Sequence, residues 1–178
     1  MELQTKRLRL IQVTFADLEN IHILHSFPET DKYNTLGIPD TIQTTEDLIK
    51  EWLEEQNSVP RKSYIFSINL SDTNQFIGLI ALILGKPNFK IAEVWYKIFP
   101  DYWSKGFTTE ALAQILKFSF TNLGLHRIEA GCAVENIASK KVLEKAGFIN
   151  EGGKRQVLPI RGAWVDNFSY AILETDFF

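Results

Sequence analysis

The stretch Trp103-Ser104-Lys105-Gly106-Phe107-Thr108-Thr109-Glu110-Ala111 decides how the rest of the chain is read. Ahead of it, Ile91 to Phe99 is a β-rich apolar run ended by Pro100-Asp101. Behind it, apolar residues recur at Ala111, Leu112, Ile115, Leu116, Phe120 and Leu123 with helical spacing, until Gly124 stops them. A strand, a short loop with one glycine and a helix aim several backbone N–H groups at one spot, where the helix dipole adds partial positive charge. Such a turn suits a phosphate or pyrophosphate, and it is also the shape of an ordinary βα connection. Neither G-x-x-x-x-G-K-[ST] nor G-x-G-x-x-G is present, which excludes a P-loop and a Rossmann fingerprint.

A second segment, Val134 to Phe148, reads V-E-N-I-A-S-K-K-V-L-E-K-A-G-F and follows the strand-like Arg127–Ala133. Together the two segments resemble the signatures of the GNAT N-acetyltransferase superfamily, in its RimJ/RimL-like (ribosomal-protein-acetyltransferase) branch. That branch typically reads W-G-K-G-Y-A-T-E-A, then N-x-x-S-x-x-x-L-E-K-x-G-F. The likeness runs from Thr5 to Leu173. Two positions depart from it, with Ser104 at the usual glycine and Thr108 at the usual Ala or Gly; the backbone amides survive both changes.

The resemblance implies an α+β fold over residues 1–178 as a single domain. Its mixed, mostly antiparallel sheet is seven-stranded, flanked by about four helices, and split between the strands Ile91–Phe99 and Arg127–Ala133. It also implies acetyl-CoA as donor and a primary amine as acceptor, either a protein N-terminus or a small molecule. The diphosphate would be held by the amides of Ser104, Lys105, Gly106, Phe107, Thr108 and Thr109. The pantetheine arm would run beside the backbone of Tyr96, Lys97 and Ile98, with Asn136 and Ser139 on its other side. Asn136 also reads as a plain helix N-cap. The alternative from another class is an acyl-CoA-binding sensor or interaction module without turnover.

Acyl transfer from a thioester to an amine needs a proton acceptor, stabilisation of the carbonyl oxygen and a proton for the leaving thiolate. The amine has an ordinary pKa of about 8 if N-terminal and about 10.4 if a lysine, so it arrives charged. Glu93 is the candidate base through water, because its A-E-x-x-[FY] stretch resembles the one in which some histone-type members of the superfamily carry their catalytic Glu; it also reads as a solvated strand charge. The tyrosine that many members of the superfamily use to protonate the thiolate is replaced here by Leu143. Ser139 takes that role by resemblance to the branch, or simply hydrogen-bonds the pantetheine.

Other residues read as structural. Glu110, in the first turn after the loop, suits the helix dipole. Asp166 shares a strand face with Trp164, Phe168, Tyr170 and Ile172, and is expected at an edge or in a polar contact. Cys132 reads as a small core residue, and His22 and His25 lack a third ligand, so no metal is expected.

Composition bounds the rest. The chain has 178 residues, 45% of them hydrophobic, enough for one full core. A net charge of −3 without a basic run gives no electrostatic footprint for nucleic acid. No apolar run approaches the roughly 20 residues that span a bilayer, and no signal peptide is evident. One cysteine suits a reducing cytoplasm, as monomer or homodimer.

Along the chain, strands are expected at Lys6–Val13, Ser63–Leu70, Phe76–Leu84, Ile91–Phe99, Arg127–Ala133, Phe148–Leu158 and Ala163–Leu173. Thr14 and Asp17 form a capping box, Thr44 caps the second helix, and Phe27–Ile42 is a loop.

Overall fold

Alternating apolar residues lay down the frame. In the computed structural model, which describes residues 1–177, eight strands form one sheet. They are β1 (Glu2–Gln4), β2 (Leu8–Gln12), β3 (Ser63–Leu70), β4 (Phe76–Leu84), β5 (Ile91–Ile98), β6 (Arg127–Ala133), β7 (Ile149–Ile160) and β8 (Ala163–Leu173). Their order is β1-β2-β3-β4-β5-β6-β8-β7, and every neighbouring pair is antiparallel except β5 with β6. The strand beyond the expected seven is β1. It pairs with Arg9–Ile11 across a turn in which the Thr5 hydroxyl accepts the Leu8 N–H.

Among the described residues six α-helices accompany this sheet: α1 (Leu18–Ser26), α2 (Pro28–Asp31), α3 (Ile42–Asn57), α4 (Phe107–Thr121), α5 (Ile137–Lys145) and α6 (Glu174–Phe177). The two beyond the expected four, α2 and α6, are single turns. Phe27–Ile42 is therefore not wholly a loop, because Pro28, with its fixed φ, starts a helical turn inside it. The Thr14–Asp17 capping box forms as expected, on a 3-10 turn that runs into α1. The cap of α3 is Thr41 rather than Thr44. Thr41 keeps an extended backbone, and its hydroxyl accepts the N–H of Thr44, already inside the first turn.

Both faces of the central strands are covered, so Ser63–Leu70 and Phe76–Leu84 are buried almost throughout, and Phe76–Leu84 carries no polar side chain. On one face Leu8, Phe66, Ile80 and Val94 pack against Ile115 and Leu116 of α4. On the other, Leu79 and Ala81 pack against Ile21 and Leu24 of α1 and Ile49 and Trp52 of α3. Each large side chain so buried contributes roughly 1.5–3 kcal/mol.

The β7–β8 hairpin turns at Arg161-Gly162, both with positive φ (50° and 77°), as a two-residue hairpin turn of right-handed twist requires. Asp166 makes the polar contact expected of it. Its Oδ1 accepts the Gln156 N–H at 2.7 Å, where β7 bulges between Lys154 and Leu158. Its role is structural.

Candidate active site

The sheet opens where the sequence places the split. β5 and β6 pair only at Ile91–Arg127, Ala92–Ile128 and Glu93–Glu129. Beyond that point β5 stays with β4 and β6 stays with β8. The backbone groups that Val94–Ile98 turns toward β6 therefore have no strand partner, and a cleft separates the two strands. Close approach on the other side fixes this half of β5. A Cβ on Gly78 of β4 would stand 2.4 Å from the Lys97 carbonyl oxygen and 2.8 Å from the Ile98 Cα.

The loop between β5 and α4 closes one end of the cleft. Trp103 Nε1 donates to the Ile98 carbonyl at 2.9 Å and ties the loop to the strand end. Ser104 (φ 60°) and Gly106 (φ 78°) are both left-handed, so Ser104 holds a conformation that glycine adopts more readily. Gly106 is the N-cap of α4 and no side chain caps it. The first-turn N–H groups of Phe107, Thr108 and Thr109 thus point out of the helix end without an intrahelical acceptor, in an exposed loop. An amide run at a helix N-terminus suits an anion such as a diphosphate, and a free strand edge suits an extended amide-bearing chain.

Glu110 is structural, as its position suggests, but its partners are distant in sequence. It accepts the Thr5 hydroxyl at 2.6 Å, the Arg7 N–H at 2.9 Å and Arg7 Nε at 2.6 Å. Arg7 also donates to the Lys105 carbonyl at 3.1 Å and stacks over Phe107. Burial opposes ionisation of Glu110, yet the hydrogen bonds from Thr5 and Arg7 outweigh it and lower its pKa. The turn between β1 and β2 thereby latches the loop.

Across the cleft, on the α4 face, the Tyr96 hydroxyl lies 2.8 Å from Ser139 Oγ. Burial, chiefly, raises the tyrosine pKa and keeps its proton in place, although the Ser139 contact works the other way. Asn136 is the N-cap of α5, its Oδ1 accepting the Ser139 N–H at 3.1 Å, so it positions Ser139 directly. Cys132 is buried, and burial raises its thiol pKa, consistent with a core residue.

On the opposite face, Glu93, Trp95 and Lys97 alternate along β5 toward α1 and α3. Trp95 packs on Trp52 of α3. Glu93 reaches solvent, yet the protein around it and then the Glu129 carboxylate raise its pKa, with Lys154 opposing. Lys97 brings more than its backbone. Its side chain is buried, its Nζ has no hydrogen-bond partner, and burial pushes its pKa down to about 8 despite the attraction of Asp31. Buried His25 sits near it, with a pKa lowered to about 3 by burial, Lys97 and His22. Asp31 is tied to Arg161 of the hairpin turn at 3.4 Å. Sequence reading missed the side-chain roles of Tyr96 and Lys97 and missed Asp31, His25 and Arg161; a lone lysine between Tyr96 and Ile98-Phe99 is the one signal that pointed there.

A depression of about 430 Å³ lies at the α1–α2 elbow, lined by His22, Ile23, Ser26, Phe27 and Pro28. None of these belongs to β5, β6 or the amide loop, so the chemistry is not placed there. Among the described residues no group of three or more His, Cys, Asp or Glu is arranged to hold a metal ion. No helix among them is long and apolar enough to cross a membrane.

Known proteins resemble this chain in sequence and fold. An uncharacterized N-acetyltransferase of Bacillus subtilis (strain 168), YnaD, is 32% identical over 178 residues, covering 99% of each chain. The crystal structure of a GNAT-family acetyltransferase from Bacillus anthracis superposes with a TM-score of 0.85 at 30% identity, covering 98% of this chain and 99% of that one. Spermidine N-acetyltransferase from Vibrio cholerae, in complex with CoA and spermine, superposes with a TM-score of 0.86 at 26% identity, covering 97% and 99%. The family model of the acetyltransferase (GNAT) domain matches residues 7–149, well over half of the sequence, and the chain belongs to the GNAT acetyltransferase family.

Proposed function

We propose that this enzyme transfers the acetyl group of acetyl-CoA to a primary amine by direct attack, with Glu93 as base and Ser139 as proton donor. The observation that carries the reading is the parting of β5 and β6 with a carboxylate on one face and a paired hydroxyl on the other. The amides of Ser104 to Thr109 would hold the diphosphate, and the free backbone of Tyr96, Lys97 and Ile98 would align the pantetheine. The CoA bound to the V. cholerae neighbour supports a CoA thioester as the donor.

Glu93 takes a proton from the incoming ammonium through water. Its raised pKa brings it nearer the operating pH, where a base works best. Glu93 passes that first proton on to solvent. Acetyl-CoA supplies the thioester: as the amine nitrogen bonds to its carbonyl carbon, the C–S bond breaks, the nitrogen's second proton leaves through the same water to Glu93, and the thiolate departs. Unpartnered β5 N–H groups are the donors available to the carbonyl oxygen. Ser139 Oγ gives the sulfur its proton, and the Tyr96 hydroxyl behind it restores the serine. Asn136 acts as a positioning residue for Ser139, and solvent resets the pair.

The test is mass spectrometry of acetylated products after incubation with acetyl-CoA and an amine panel spanning peptide N-termini, amino acids and spermidine. A product gaining one acetyl group is expected, at a rate that Glu93→Gln lowers about 10²- to 10⁴-fold. Full-rate turnover by Glu93→Ala would remove Glu93 from the mechanism.

A further inference from the structure

Four elements meet over the parted half of β5 on the face that carries Glu93. Lys97 projects from β5, His25 from α1 and Asp31 from α2, while Arg161 reaches in from the hairpin turn. Lys97, His25 and Asp31 are 8%, 2% and 4% exposed, and Lys97 Nζ, His25 Nε2 and Asp31 Oδ1 have no hydrogen-bond partner. Arg161 is committed, donating to Asp31 Oδ2 at 3.4 Å and to the Pro28 carbonyl at 3.0 Å.

Charge decides what belongs here. Two cations, Lys97 and Arg161, face one carboxylate, Asp31, and Arg161 already holds it. His25 is neutral at ordinary pH. Lys97 is therefore a buried ammonium with no hydrogen-bonded partner, and the one carboxylate that attracts it is shared with Arg161, an arrangement that costs free energy unless a further anion completes it. A second ammonium, as on a polyamine, would add a third cation to the cluster.

On the transferase reading above, we infer that the acceptor amine carries a carboxylate, which pairs with Lys97 Nζ between β5, α1 and α2. The acceptor class is then an amino acid or related amino carboxylate. Lys97 selects it through a charge-assisted hydrogen bond, the kind a carboxamide analogue makes more weakly.

The test measures binding and turnover separately. Amino acids, their carboxamides and spermidine are titrated calorimetrically into CoA-loaded wild type, Lys97→Met and Lys97→Arg, and acetylated product is followed in parallel with acetyl-CoA. An amino acid is expected to bind wild type about tenfold to about a hundredfold more tightly than its carboxamide. Lys97→Met should erase that preference and Lys97→Arg keep most of it, which separates lost charge from lost folding. Equal binding of the carboxamides, a preference for spermidine, no binding of any amino acid, or a preference that survives Lys97→Met would each overturn the inference. A Lys97-dependent preference without acetylated product would sink the transferase reading alone; product without the preference would sink only the carboxylate.

Discussion

Glu93 and Glu129 stand side by side as the last parallel pair between β5 and β6, two carboxylates at the point where the strands part. The crowding around Glu93 makes it harder to ionise, and the Glu129 carboxylate adds to this. Lys154 pulls in the other direction. The expected base of the reaction is thus tuned by neighbours on two other strands.

That tuning sets the acid limb of the pH–rate profile. The base must be ionised, so kcat/KM should rise as pH climbs through the folded pKa of Glu93, above the ordinary carboxylate value of 4.5. Glu129→Gln removes a repulsion and should move the limb to lower pH; Lys154→Gln should move it higher. Steady-state rates of the two variants across the acid range check both signs, and shifts in the same direction would refute the assignment.

The Tyr96–Ser139 pair predicts coupling. Ser139→Ala strands a buried hydroxyl and should cost roughly 1–3 kcal/mol of stability, as well as lowering kcat. Combined with Tyr96→Phe, it should cost clearly less than the sum of the two single changes. A double-mutant cycle by denaturant unfolding measures this, and strict additivity would show that the 2.8 Å contact contributes nothing.

Glu110 and Arg7 make the amide loop depend on the start of the chain. Glu110→Gln should destabilise by about 1 kcal/mol at neutral pH, toward the low end because Arg7 is 43% exposed. The folded pKa of Glu110 is depressed, so this stability is present above the unfolded carboxylate pKa and is lost as pH falls through the folded one. Melting curves of wild type and variant should therefore converge in acid. Acetyl-CoA affinity should weaken roughly 3- to 10-fold as the loop loosens, and unchanged affinity would make the latch irrelevant to binding.

Two backbone positions predict opposite signs. Gly78→Ala would drive a methyl group into the Lys97 carbonyl and should cost about 2 kcal/mol or more. Ser104→Gly relieves a left-handed serine and should gain roughly 0.5–1 kcal/mol while leaving the loop amides in place. Chemical denaturation of both variants checks the pair.

Features carried by contiguous sequence were legible. Ser63–Leu70, Phe76–Leu84, Arg127–Ala133 and Ala163–Leu173 alternate or run apolar between turn residues, and each forms a strand with those bounds. The amide loop and the Asn136–Ser139 start of α5 are local motifs and were read from the chain. Glu2–Gln4 is too short to show a period and owes its strand to pairing with β2. The helix start expected at Thr44 lies three residues earlier, at Thr41, which has the same capping chemistry.

The chemistry of the cleft was less legible because its contacts are long-range. Tyr96 and Ser139 are 43 residues apart, and Asp31 and Arg161 are 130 apart. Only the fold reveals that Lys97 points into a crowded, cation-rich corner. A charge inside the run Trp95-Tyr96-Lys97-Ile98-Phe99 was visible; its lack of a partner was not.

The most direct measurement is the rate of free thiol release from acetyl-CoA by wild-type protein, with and without an amine acceptor. Release that needs both protein and amine, and falls about 100-fold or more in Glu93→Gln, is the predicted result. Acetyl-CoA that binds tightly but releases no thiol with any amine would contradict it, leaving a domain that holds the donor without turning it over.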